Sequence, residues 1–78
     1  MKRRQPTHRD EQTLEAISAF WATHQCSPTM REVSREAGLS FGTVQGCVKH
    51  LETLGSLRVI RVEGRVRVME PAAAQEAA

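Results

Sequence analysis

Two spacings along this 78-residue chain offer metal-type donors, His24-x-Cys26 and Cys47-x-x-His50. Four such ligands could close around zinc, which takes thiolate and imidazole in a tetrahedral shell. Neither spacing is a familiar zinc pattern, and Cys47 falls on an apolar helical face. Two core thiols are therefore expected, with no metal and no other cofactor. The chain has no glycine-rich phosphate loop, no pair of working carboxylates and no nucleophile with base and orienter, and its length offers little concavity. No enzyme is expected. What remains is hydrogen-bonding and charge chemistry: Thr43, Gln45 and Lys49 close together, then Arg61, Arg65 and Arg67 interleaved with valines. An amide, a hydroxyl and a set of cations suit the recognition of a polar, negatively charged surface.

The chain that must position these groups is one small domain. Apolar residues make up 40% and charged residues 26%, a globular balance, but Phe20, Trp21 and Phe41 are the only aromatics. The core must then come from Leu, Ile, Val, Met and Ala, with a thin stability margin at this length. Two cysteines are too few for a secreted disulfide scaffold, no apolar run nears the roughly 18 residues of a membrane span, and Met1 leads into charge instead of a signal-peptide core. A soluble, cytoplasmic protein is expected, with no membrane partner. The net charge of +2 is unevenly spread. Lys2, Arg3, Arg4 and Arg9 open the chain, five acids against Arg31 and Arg35 follow between Asp10 and Glu36, and Lys49, Arg58, Arg61, Arg65 and Arg67 outnumber Glu52 and Glu63 after that. Base flanks a more acidic middle.

Periodicity supplies the elements. Leu14, Ile17 and Trp21, flanked by Ala16 and Phe20, predict a helix from about His8 to His24, with Asp10 and Glu11 in its first turn where the dipole favours acids. Gln25 to Pro28 break the pattern. Thr29-Met30-Arg31-Glu32 has the form of a capping box and starts a second, short helix with Met30, Val33 and Ala37 on its apolar stripe and Gly38 after it. Ser40 caps a third helix, Phe41 to about Leu54. There Val44, Cys47, Val48, Leu51 and Leu54 fall in one sector, and Gly42, Gln45, Gly46 and Lys49 lie opposite. Two glycines on a free helix face each cost about 1 kcal/mol relative to Ala. Close approach of another surface is one explanation and plain tolerance is the other.

After Gly55 the period changes from 3.6 to 2, in Leu57 to Val62 and again in Arg65 to Met69, which predicts a hairpin. A two-residue loop at Glu63-Gly64 would set Val62 opposite Arg65 and mix apolar with basic side chains. A three-residue loop, Glu63 to Arg65, pairs Val62 with Val66, Ile60 with Val68 and Arg61 with Arg67, giving one apolar and one basic face, and is preferred here. Residues 1–7 read as a flexible basic arm, 8–70 as the folded domain and 71–78 as a disordered tail. The fold class is mainly α with a small β-hairpin: a winged helix-turn-helix of three helices and a two-stranded wing.

The stretch S-P-T-M-R-E-V-S-R-E-A-G-L-S, Ser27 to Ser40, resembles the amino-terminal DNA-binding domain of LexA-type repressors, in which a Pro-Thr pair caps a helix ending in Gly-Leu or Gly-Phe. G-T-V-Q-G-C-V-K-H-L-E-T-L-G, Gly42 to Gly55, is similar to the wider winged-helix repressor pattern, with Thr-Val opening the recognition helix and Leu-Glu closing it. The resemblance spans roughly Leu14 to Met69. LexA-type proteins continue into a peptidase domain with a Ser-Lys pair, which this sequence does not contain, so self-cleavage by it is not expected. The glycines stand where relatives usually carry larger polar groups, so the family's operator does not transfer.

The resemblance implies that helix 3 enters the major groove of double-stranded DNA. Base readout is then expected from Phe41, Gly42, Thr43, Gln45, Gly46 and Lys49: Gln toward adenine, Lys toward guanine or phosphate, Thr either way, Phe41 toward a thymine methyl. Phe41 packing against helix 2 or the wing is the alternative. Backbone contacts are expected from Thr29, Arg31, Ser40, Arg61, Arg65 and Arg67, with simple solvation as the competing reading of the wing arginines. Lys2, Arg3 and Arg4 would form an electrostatic arm or have no role. The function expected is a small sequence-specific regulator of transcription, a repressor acting by promoter occupancy. The alternative is a winged-helix interaction module that binds a component of the transcription machinery. No small-molecule effector is evident. A weak homodimer, or pairing on DNA through Phe20 or the tail beyond Met69, is expected because one such domain covers a single half-site.

Overall fold

The computed structural model describes residues 7–72. The basic lead with Lys2, Arg3 and Arg4, and the end of the chain from 73 onward, read above as arm and tail, lie outside the described residues. The order is α1 (His8–His24), α2 (Met30–Ala37), α3 (Phe41–Leu54), β1 (Leu57–Val62) and β2 (Arg65–Pro71). Three helices followed by a two-stranded antiparallel hairpin give the winged helix layout expected.

Local chemistry sets the helix limits. Thr7 caps α1 in a full capping box: its hydroxyl accepts from Asp10 N (3.1 Å) and its N–H donates to Asp10 Oδ2 (2.9 Å). Thr29 and Glu32 form the same box at α2. Gly38, at φ 72°, ends α2 in the left-handed region open to glycine, and Ser40 then caps α3 by accepting from Thr43 N. The helix-turn-helix corner is tied by the N–H groups of Gly38 and Leu39, both donating to Ser34 O.

The core is built from Ala16, Ile17, Val33, Val44, Val48, Leu51, Leu57 and Met69, with Leu14, Trp21, Met30, Ala37, Leu39, Val59 and Val66 packed around it. On α3 the buried set of Val44, Cys47, Val48 and Leu51 matches the predicted sector, although Leu54 is only half-buried. On α1 the buried line runs Asp10, Thr13, Ala16, Ile17, so the expected stripe of Leu14 and Trp21 lies at its margin. Trp21 stays at the margin because its indole Nε1–H donates to Met69 O (2.7 Å), a bond that keeps one end of the ring at the edge of β2. Ser27 Oγ accepts from Met69 N (2.9 Å), so both backbone groups of Met69 on that edge are satisfied by side chains.

The hairpin departs from the preferred register. Glu63 (φ 52°) and Gly64 (φ 79°) form a two-residue turn with both central residues at positive φ, the type whose twist matches the strands it joins. Val62 therefore pairs with Arg65 and Arg61 with Val66, not Val62 with Val66 or Arg61 with Arg67. The register shifts between Ile60 and Arg61, with Arg67 the extra residue, and this bulge restores the expected Ile60 to Val68 pair. The expectation of one wholly apolar and one wholly basic face fails in the outer half, where Ile60 and Val62 are exposed. Strand β2 runs on to Pro71, which is buried opposite Leu57, so the folded part extends past 70 and Pro71 does not belong to a tail.

Candidate nucleic-acid interface

Helix α3 presents its polar face as the sequence indicated. Gly42, Gln45, Gly46 and Lys49 are exposed, and Thr43 is half-buried. Ser40 Oγ donates to Thr43 Oγ1 (2.8 Å), so the cap residue also orients the Thr43 hydroxyl. A Cβ added at Gly42 or Gly46 would meet nothing within 4 Å. Packing among the described residues therefore does not require either glycine.

Phe41 is 44% exposed and does not stand apart from the wing. It lines a groove of about 540 Å³ with Pro28, Met30, Arg31, Arg65, Arg67 and Met69. A second groove of about 350 Å³ lies between α3 and the wing and is lined by Gln45, Gly46, Lys49, Arg61 and Gly64 among others. Met30 and Val66 line both, so an apolar floor continues beneath the two. Nine of the twelve predicted site residues border them: Thr29, Arg31, Phe41, Arg65 and Arg67 the first, and Gln45, Gly46, Lys49 and Arg61 the second. Ser40, Gly42 and Thr43 stand at the start of α3 outside both linings.

The cations divide into two groups. Among the described residues Arg31, Arg65, Arg67 and Lys49 form no ion pair, whereas Arg58 reaches Glu70 (3.5 Å) and Arg61 is held by Glu52. Arg61 Nη1 donates to Glu52 Oε2 (3.0 Å) and Nη2 to Oε1 (2.9 Å), a bidentate fork. The Arg61 hydrogen bonds hold the Glu52 carboxyl below its ordinary range, and the same bonds raise the guanidinium's affinity for its proton. Arg61, expected as a backbone-contact residue, is thus already paired within the chain. Thr29 is also engaged: its N–H donates to Glu32 Oε1 (2.8 Å), which leaves its hydroxyl proton as the free donor. Glu52, Met30 and Val66 were missed by sequence reasoning. The spacing of Glu52, three residues after Lys49 and seven after Gln45, placed it on the same helix face and could have flagged it.

A second polar cluster lies on the other side of α3. Asp10, 2% exposed, pairs through Oδ2 with His50 Nδ1, and Cys47 and Thr13 adjoin it. Burial alone would raise the Asp10 pKa, but the Thr7 N–H, His50 and Cys47 together hold it below the ordinary value. Burial raises the Cys47 thiol pKa. Cys26 is exposed, and among the described residues no three His, Cys, Asp or Glu side chains are grouped to hold a metal. No helix among them is long and apolar enough to cross a membrane. No protein-family model, curated protein or solved structure matches this chain.

Proposed function

We propose that this protein is a small sequence-specific double-stranded DNA-binding regulator of transcription, acting as a repressor by occupying a promoter. One observation carries the reading: the free polar face of α3 and the unpaired Arg31, Arg65 and Arg67 open onto one continuous grooved surface, and Glu52, the single acid of α3, is already neutralised by Arg61. Phosphate contacts by such cations set register, and Gln45 and Lys49 can then discriminate base edges in the major groove. Thr43, Phe41 and the two glycines sit at the end of the helix that leads into the groove, and Ser40 and Thr29 offer hydroxyls to flanking phosphates. A cytoplasmic location and the absence of catalysis belong to the same reading.

Selection of bound sites from a random duplex pool, followed by titration of variants, tests it. Gln45→Ala should weaken the selected site by about 1–3 kcal/mol while leaving random duplex nearly unaffected and the fold intact. Equal losses on both would assign Gln45 to backbone contact, and no selected consensus would reject sequence-specific binding. A second reading, a winged-helix module that binds a component of the transcription machinery, draws on the exposure of Phe41, Ile60 and Val62. It is favoured if duplex binding is absent at low salt.

A further inference from the structure

We propose that Glu52 and Arg61 are positioning residues that fix the angle of the wing against α3, and so the spacing between the base-reading face and the wing arginines. The inference rests on the DNA reading above. Its ground is the way the hairpin loses support toward its tip. In β1 only Leu57 is fully buried, and from Ile60 through Arg65 every residue is exposed. The bulge at Arg67 and the register shift beside Ile60 add twist at the point where the core ends. Beyond it, the partly buried Val66 packs against the core, and the two parallel hydrogen bonds of the Arg61 to Glu52 fork tie the hairpin to α3. An apolar contact such as Val66 is non-directional, whereas a planar guanidinium engaging both carboxylate oxygens fixes orientation as well as distance.

The positions of the two residues give the fork its leverage. Glu52 is one turn beyond Lys49 on the same face of α3, and Arg61 pairs across the hairpin with Val66, next to Arg65 and the bulged Arg67. A change of wing angle therefore moves Arg65 and Arg67 relative to Gln45 and Lys49. An acid on an otherwise cationic face would repel a phosphate backbone by itself. Paired with Arg61 it adds no net charge and can serve geometry. Exposed pairs of this kind add little to global stability, so the role differs from that of a core contact.

The test uses the full chain with Glu52→Gln, Arg61→Gln and the charge-swapped double variant Glu52→Arg/Arg61→Glu. Each is measured by amide relaxation of the wing without DNA and by binding to the selected duplex over a salt series. Both single variants should melt close to the parent, yet lose order at the amides of 62–66. Glu52→Gln should bind the duplex about three- to tenfold more weakly although it removes an acid, and the swap should recover wing order and most of that loss. Tighter binding by Glu52→Gln with a steeper salt dependence would overturn the proposal and make Glu52 a mask over a phosphate-contacting Arg61. Unchanged wing order in both single variants would overturn it too. If the parent binds no duplex, the DNA reading fails, and wing order alone decides whether the fork holds the hairpin.

Discussion

Asp10 serves two structural purposes, closing the capping box of α1 through Thr7 and joining α1 to α3 through His50. Its pKa is depressed in the fold, so its contribution is present above the ordinary carboxylate range and is lost as pH falls through the folded value. Asp10→Asn should cost about 1–3 kcal/mol at neutral pH, and the gap to the parent should close as the pH is lowered through and below that range. Denaturant titrations at several pH values measure this. A gap independent of pH would show that the carboxylate charge does not matter. Gly46 poses a different question, because nothing among the described residues fills the space beside it. Gly46→Ala should raise stability by about 1 kcal/mol and weaken duplex binding, the combination expected where backbone must approach another surface. Unchanged affinity would mean the position merely tolerates glycine.

At the scale of elements, the limits of α2, α3 and β1 were legible because they are set by neighbours in sequence: Thr29 with Glu32, Ser40 with Thr43, Gly38 and Gly55 at positive φ. The hairpin register was not, since a two-residue turn and a bulge act together and each alone gives a different pairing. The turn carries a trace of conflict, for Glu63 holds φ 52° without being glycine. Asparagine tolerates that region far better, so Glu63→Asn should stabilise the fold by about 1 kcal/mol, read as a shift in the denaturant midpoint. A loss of stability would mean that the Glu63 side chain compensates for its own backbone. The rotation of α1 was also hidden, because the bond from Trp21 to Met69 joins residues 48 apart in sequence and draws the indole toward the sheet edge.

For the whole molecule, the polar face of α3 could be read from periodicity, but the division of arginines into paired and unpaired could not, as it depends on where the bulge sends each one. That division bears on ionic strength. With Arg31, Lys49, Arg65 and Arg67 unpaired and Arg61 engaged, the log-log salt dependence of duplex binding should have a slope of roughly −3 to −4. A flat response would reject the electrostatic basis of the proposed function. If the proposed function holds with one domain per half-site, sedimentation should find two copies on a full operator and a monomer or weak dimer without it; a full-affinity one-to-one complex on a single half-site would overturn this. The side chains of Trp21 and Ser27 bear on how copies can meet. They occupy the outer backbone groups of β2 at Met69, so among the described residues β1 is the strand with a continuous free edge. Backbone pairing between two molecules through β1 would use up that edge in both and present no fresh template to a third. Growth by strand addition through that edge would therefore stop at a pair, which limits fibre formation by a short, thinly cored chain.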